Sequence, residues 1–227
     1  MDPIIFLALA VAYLALLVWV ITLAVRRGRL IVSDLAIAVL AALVYDNAVI
    51  GLGATIGEGP LLEGLNAVRF WLHGRCTPLL VMVAWHMLVR AGIGWAAARG
   101  GLIGAVVLTL ALVVYEIVVS ATALDLEVGK EYGAVNYTNA DSPPGPPLMV
   151  LVVAAALLVS GIGVLIRQKW WVLLVGTVLM TIGSAVEIPI ESSAATNALE
   201  LILLTSIVAT IGFQDRRERE AQGVEVR

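Results

Sequence analysis

Residues 1–25, MDPIIFLALAVAYLALLVWVITLAV, form an apolar run that is long enough to cross a membrane. A helix needs about 20 such residues to span the roughly 30 Å hydrocarbon core of a bilayer. The run lacks a basic leading segment and a small-residue cleavage site, and it exceeds the roughly 7–15 apolar residues of a signal-peptide core. We therefore predict a retained membrane-spanning helix at the start of the chain.

The composition extends this prediction to the rest of the 227 residues. The mean hydropathy is +1.00, and only 14% of the residues are charged, whereas soluble domains are about 25% charged. The sequence predicts an all-α, polytopic integral membrane bundle in a single domain over residues 1–213, with a polar cytoplasmic tail at 214–227. The single Cys76 excludes an internal disulfide and a CxxC redox motif. A net charge of −3 leaves no basic face for nucleic acid.

Apolar runs of spanning length recur along the chain, and we predict seven transmembrane helices. They lie at residues 3–25, 34–54, 78–97, 102–122, 148–166, 170–189 and 197–213. Most of the 14 basic residues lie near the ends of the first, third, fifth and seventh spans. The positive-inside rule then places the N-terminus outside and the C-terminus in the cytoplasm. We expect the membrane to be a prokaryotic plasma membrane.

Two connections on the predicted outer side are longer than turns. In the first, Pro60 can begin a helix that has an apolar and a polar face. The apolar face holds Leu61, Leu65, Val68 and Leu72, and the polar face holds Glu63, Asn66, Arg69 and His73. This pattern predicts a short amphipathic helix near residues 60–73 that lies in the outer interface. The second connection, residues 123–147, is predicted to be an acidic, proline-rich loop.

Four ionisable residues lie well inside the predicted spans, away from their ends, namely Asp46, Glu116, Glu187 and His86. With a rise of about 1.5 Å per residue, all four lie between the midplane and the outer surface. An ionisable group within a membrane is costly and by default indicates a functional site. We therefore predict a carboxylate and histidine site in the outer half of the bundle.

In this site we expect Asp46, Glu116 and His86 to be catalytic. The predicted binding residues are Asn47, Arg90, Glu187, His73 and Arg69. The oxygen and imidazole ligands also make a divalent metal possible, although the cofactor stays unknown. The candidate metal ligands are Asp46, Glu116, His86 and Glu187.

Each of these residues also has a structural interpretation. Asp46 could pair with Arg90 and fix the helix register at little net gain in stability, and Arg90 could instead extend to the cytoplasmic interface. His86 could be a neutral histidine that bonds a neighbouring helix. Asn197 and Glu200 resemble a capping box at the start of the seventh span, which explains Glu200 without a function.

Three functional classes fit this description. The first is an enzyme that acts on a lipid-like or prenyl substrate arriving from the membrane lipids. The alternatives are a proton- or cation-coupled transporter and a non-catalytic membrane subunit or sensor. The sequence does not indicate the oligomeric state. Zinc hydrolases of the ceramidase and adiponectin-receptor type resemble the chain in span count only, since their site uses three histidines and this chain has two. A retinal protein needs a lysine within the bundle, and Lys130 and Lys169 lie outside the spans.

Overall fold

The structure is a computed structural model that describes residues 2–123, 125–140, 147–185 and 192–223, most of which are helical. The helices are α1 (Asp2–Arg27), α2 (Ala36–Ile56), α3 (Pro60–Cys76), α4 (Leu79–Arg90), α5 (Gly94–Ala97), α6 (Arg99–Ala123), α7 (Leu148–Gln168), α8 (Val172–Ala185) and α9 (Ala194–Ala221). A short 3-10 helix, Val32–Leu35, precedes α2. Two strands, β1 (Leu126–Glu131) and β2 (Ala134–Asn139), follow α6.

Five of the described helical segments are long and apolar enough to cross a membrane. They are Asp2–Arg27, Val32–Ile56, Arg99–Val118, Leu148–Gln168 and Ala194–Ala221. The prediction of a multi-pass, all-α membrane bundle is confirmed at this level. The third and sixth predicted spans correspond to α4, which has 12 residues, and α8, of which 14 are described. Both are shorter than the roughly 20 residues of a full span, so the count of seven stays a prediction.

The bundle is held together by large apolar side chains at the helix crossings. Helix α1 packs on α2 and α9, α8 packs on α7 and α9, and α4 packs on α7 and α6. The side chains of Phe6, Tyr13, Leu40, Met87 and Leu204 are fully buried in this core. Dispersion contacts of this kind hold membrane helices together, because lipid is as apolar as the side chains it would replace.

Helix α3 begins at Pro60 as the sequence predicts, but its polar side faces the bundle. Asn66 and Arg69 are buried, whereas Leu61 and Val68 are 68% and 46% exposed. The polar face packs against α2 and α6. Carboxylates on these helices replace water as partners of the polar side chains, as Asp46 does for Arg69. Helical hydrogen bonding then continues through Thr77 into α4, since the Thr77 amide donates to the His73 carbonyl at 3.0 Å.

The predicted loop at 123–147 contains an antiparallel hairpin that closes one end of the bundle. Strands β1 and β2 pair from Leu126 opposite Asn139 to Glu131 opposite Ala134. The hairpin packs on α2 and α3 through a small apolar cluster of Val49, Leu62 and Tyr137. The Tyr137 hydroxyl also accepts a hydrogen bond from the Gly59 amide at 3.2 Å. We call this the hairpin end of the bundle.

Arginine and lysine side chains gather at the opposite end, which we call the basic end. The basic residues there are Arg26, Arg27, Arg29, Arg90, Arg99, Arg167, Lys169, Arg216, Arg217 and Arg219. Helix α9 continues to Ala221, beyond residue 213, where the last predicted span ends. Gln214 and Asp215 are buried in this extension, so it is packed against the bundle.

Candidate functional site

An ion pair between α2 and α3 lies below the hairpin. Nε of Arg69 is 2.9 Å from Oδ1 of Asp46, and the two side chains are 10% and 15% exposed. Nη1 of Arg69 also donates to Oδ1 of Asn66 at 2.6 Å. The Asn66 amide in turn donates to the Leu62 carbonyl at 2.8 Å, which fixes its orientation. Arg69 is therefore held from both sides, by a carboxylate on α2 and by an amide on its own helix.

His73 connects this pair to two more carboxylates. It follows Arg69 by one helical turn and so lies on the same face of α3. The imidazole interacts electrostatically with Asp46 on α2, with Glu116 on α6 and with Glu200 on α9. His73 thus lies among three acidic groups from three helices.

Glu116 reaches this group because α6 approaches α3 closely at a glycine. A Cβ atom added to Gly74 would lie 3.3 Å from Cβ of Glu116 and 3.4 Å from its Oε2. Gly74 is the residue after His73, and the Glu116 carboxylate also interacts electrostatically with the His73 imidazole. The two central carboxylates that the sequence predicts, Asp46 and Glu116, therefore both interact with one histidine.

Glu200 belongs to this group although the sequence suggested a capping role. Helix α9 begins at Ala194 with Ser193 as its N-cap, so the predicted cap at Asn197 is wrong. Glu200 lies in the second turn and interacts with Asp46 and His73. Tyr13 of α1 is fully buried, and its hydroxyl group donates a hydrogen bond to the Asn197 carbonyl at 2.8 Å, one turn before Glu200. The only sequence signal for Glu200 was an acidic residue in an apolar run.

Asn47 lies on α2 next to Asp46, and its hydrogen bond is made within its own helix. Its side chain is fully buried, and Nδ2 donates to the Leu43 carbonyl at 3.0 Å. Oδ1 of Asn47 has no hydrogen-bond partner among the described residues. The side chains of Asp46 and Asn47 thus serve different sides of the helix.

His86 and Arg90 lie in a different place, at the basic end. Nδ1 of His86 is 2.8 Å from Oγ of Ser33, which links α4 to the 3-10 helix. Arg90 pairs with Asp215 through Nη2 and with Glu218 through Nε, both at 2.7 Å. The predicted pairing of Arg90 with Asp46 is therefore wrong, because Arg69 occupies that position. His73 and Arg69 take the places that the sequence suggested for His86 and Arg90.

The basic end is a buried ionic network that joins three helices. Arg27 binds both oxygens of Asp215, at 3.1 and 3.0 Å, and also binds Asp34 at 2.7 Å. Arg90 shares the same Asp215 carboxylate. Because each guanidinium has a carboxylate partner, this network ties α1 and α4 to α9.

The described residues contain no group of three or more histidine, cysteine, aspartate or glutamate side chains arranged to hold a metal ion. Glu187, a predicted binding residue and metal ligand, lies outside the described residues. Asp46 is engaged by a guanidinium rather than left open as a ligand. The divalent metal therefore stays a sequence prediction.

No protein-family model matches the chain, and no curated protein or solved structure is similar to it. The function must therefore be argued from the site itself. That site consists of one ion pair, one histidine and two further carboxylates in the hairpin half of a membrane bundle.

Proposed function

We propose that this group of side chains is the active site of an integral membrane enzyme that acts on a lipid-like or prenyl substrate. The observation that carries the proposal is the close approach of Glu116 to Gly74, together with the electrostatic interaction of the adjacent His73 with Asp46, Glu116 and Glu200. An imidazole beside carboxylates can accept and return a proton during a reaction. In this proposal His73 is the general base or acid, and Glu116 is its partner.

The Asp46–Arg69 pair has a positioning role in this mechanism. It holds α2 against α3, and it keeps the charge of Arg69 close to Asp46 and one turn away from His73. Asn66 restricts the guanidinium further. A fixed pair of charges beside the reacting histidine is the kind of preorganised environment on which acid–base catalysis depends.

The position of Glu116 supports a substrate that arrives from the bilayer. Its neighbours on α6, Val114, Tyr115, Ile117 and Val118, are between 36% and 58% exposed. Exposed apolar side chains on a membrane-spanning helix face lipid. A lipid-like molecule could therefore approach Glu116 sideways without crossing water.

The charge of the site favours a neutral or cationic head group. Asp46, Glu116 and Glu200 are acidic, and the arginine among them, Arg69, is already paired with Asp46. Like charges that are brought together out of water repel each other strongly. A hydroxyl or carbonyl group fits this site better than a phosphate.

The proposal includes the arrangement in the membrane. We propose seven spans, with the hairpin end outside and the basic end in the cytoplasm of a prokaryote. The concentration of basic residues at one end supports this orientation. Helices α4 and α8 would then cross the bilayer together with the segments that flank them.

A proton- or cation-coupled carrier is the second candidate. It is favoured by Glu116 and Glu200, neither of which forms a salt bridge to a basic side chain in the described part of the chain. A carboxylate without a fixed counter-ion can bind and release protons or cations during transport. The same residues would serve either function, so the test must measure both products and ion flux.

The test uses the purified full chain in vesicles of bacterial polar lipids that contain an added long-chain prenyl alcohol. Mass spectrometry of the lipids before and after incubation compares the wild type with His73→Asn and Glu116→Gln. We expect at least one lipid or prenyl species to change with the wild type and with neither variant. Glu63→Gln, an exposed position on α3, is the matched control and should behave as the wild type.

The same vesicles carry an internal pH-sensitive dye, and a pH gradient is imposed across the bilayer. If the lipids are unchanged and the wild type conducts protons whereas Glu116→Gln does not, the enzyme hypothesis is rejected and the carrier hypothesis is supported. Unchanged lipids and no flux, with variants that only melt at lower temperature, would reject both. The group would then be a structural core of a subunit or sensor.

A further inference from the structure

An apolar groove runs along the bundle on the side away from the Asp46–Arg69 pair. It lies between α6 and α7, has α4 as its floor and has a volume of about 610 Å³. Its walls include Ala84, Leu88, Gly104, Leu108 and Val152, and every lining residue is apolar, small or tryptophan. A groove of this size falls within the roughly 300–1,000 Å³ of small-ligand sites.

The groove is shorter than the bundle. On α6 it extends from Gly100 to Leu108, which at about 1.5 Å per residue is roughly 12 Å. On α7 it extends from Val152 to Val159. Half of a hydrocarbon core is about 15 Å thick, so the groove is long enough to hold part of one acyl chain.

Aromatic side chains line the basic end of the groove. Trp95 is 60% exposed there. The indole nitrogen of Trp85 is already satisfied, because it donates to the Ala96 carbonyl at 2.9 Å, so this side chain offers its ring to the groove. Tryptophan is enriched where hydrocarbon meets lipid head groups.

Two arginines flank the same end. Arg99 is exposed and directly precedes Gly100, a lining residue. Arg167 is also exposed, and its Nη2 lies 3.4 Å from the carbonyl oxygen of Gly92, three residues before Trp95. Neither arginine has a carboxylate partner within the described residues, so both charges are unpaired at the basic end of the bundle.

We propose that this groove binds an anionic phospholipid, with one acyl chain in the groove and the phosphate between Arg99 and Arg167. The apolar walls match the chain, and the two arginines match the phosphate. A zwitterionic lipid of equal chain length would gain the same apolar contacts and less from the arginines. This site is independent of the proposed activity, since none of its lining residues belongs to the group around His73.

The test is native mass spectrometry of the full chain released from detergent with equal amounts of phosphatidylglycerol and phosphatidylcholine that carry identical chains. We expect one retained phosphatidylglycerol per chain. An arginine near a membrane surface favours an anionic lipid by roughly fivefold, so Arg99→Ala and Arg167→Ala should each lower the preference by about that factor. Arg216→Ala removes an exposed arginine elsewhere at the basic end and should leave the preference unchanged.

Two variants fill the groove itself. No atom lies within 4 Å of where a Cβ at Gly104 would be, so Gly104→Leu can enter the groove without displacing a neighbour. Ala155→Leu, at an exposed lining position on α7, is the second such variant. Both should lose the retained lipid, whereas Leu110→Phe, on an exposed α6 position outside the lining, should keep it.

Three results would overturn the proposal. Equal retention of the two lipids would show that the arginines do not select a phosphate. Full retention in both groove-filling variants would show that the chain does not lie in the groove. An equal loss for Arg216→Ala would mean that general attraction at the basic end, and not this site, holds the lipid.

Discussion

Nε of Arg69 lies 2.9 Å from Oδ1 of Asp46, and this contact joins α3 to α2 in a largely buried position. The polar face of α3 turns into the bundle around it, and Asn66 and His73 lie on that face. Removing one member of a buried pair leaves the other charge uncompensated, which costs far more than the pair contributes. The pair is therefore a sensitive test of the described site.

We expect Asp46→Asn to lower the free energy of unfolding by about 3 kcal/mol, because the Arg69 guanidinium loses its counter-ion. Arg69→Gln should have a similar effect. The free energy of unfolding of the double variant should fall by clearly less than the sum of the two single losses, since the second substitution removes a charge that is already unpaired. Circular dichroism during denaturation in detergent measures all three.

The exposed pair between Lys130 and Glu58 is the control for this cycle. Its side chains are 67% and 50% exposed at 2.7 Å separation. Solvent weakens such a pair, so Lys130→Gln should not change the unfolding transition measurably. Strict additivity of the Asp46 and Arg69 substitutions would contradict the ion pair.

The hairpin should detach from α2 when Gly53 is replaced by alanine. A Cβ at Gly53 would overlap the carbonyl oxygen of Val135 in β2, and backbone cannot move aside as a flexible side chain can. We expect faster hydrogen exchange at the amides of residues 126–139, measured by mass spectrometry.

Gly64→Ala is the matched substitution on α3, because nothing lies within 4 Å of its added Cβ. It should leave hairpin exchange unchanged and stabilise the helix by up to about 1 kcal/mol. Equal exchange in the two variants would show that the hairpin does not rest on α2 at Gly53.

Asp215 should be among the most sensitive positions at the basic end. Its side chain is 1% exposed and accepts hydrogen bonds from both Arg27 and Arg90. Asp215→Asn removes the carboxylate that two buried guanidinium groups share. We expect the free energy of unfolding to fall by about 3–5 kcal/mol, measured by thermal unfolding in detergent. Glu220→Gln, at an exposed position five residues after Asp215, should have the melting temperature of the wild type. A melting temperature unchanged by Asp215→Asn would mean that the network does not stabilise the bundle.

The five long apolar helices could be predicted because apolar length is a direct consequence of bilayer thickness. The depth predicted for His86 was counted from a helix start at residue 78. In the structure the helical path begins at Pro60, so His73 lies near its middle and His86 lies near the basic end. Depth along a helix therefore placed Asp46 and Glu116 in the same half of the bundle, but it placed His86 in the half opposite to the one it occupies.

The hairpin could not be read from the sequence because its turn lacks the usual residues. Tyr132 and Gly133 both have positive φ, at 40° and 91°. Such two-residue turns favour asparagine or aspartate before glycine, and a tyrosine is rarely found in this conformation. Glu200 was missed for a different reason, since its spacing from Asn197 matched a capping motif that α9 does not use.

The side of the membrane on which the hairpin lies tests the predicted orientation. With the N-terminus outside, α1 and α2 return the chain to the outer side at Gly53, where the hairpin packs on α2. We expect Lys130→Cys, in a Cys76→Ser background that removes the only native cysteine, to react with a membrane-impermeant maleimide on intact cells. Arg216→Cys in the same background should react only after the membrane is opened, because basic residues concentrate on the cytoplasmic side. Labelling of Arg216→Cys alone in intact cells would invert the orientation, and labelling of both cysteines would contradict the placement of the hairpin end and the basic end on opposite sides of the membrane.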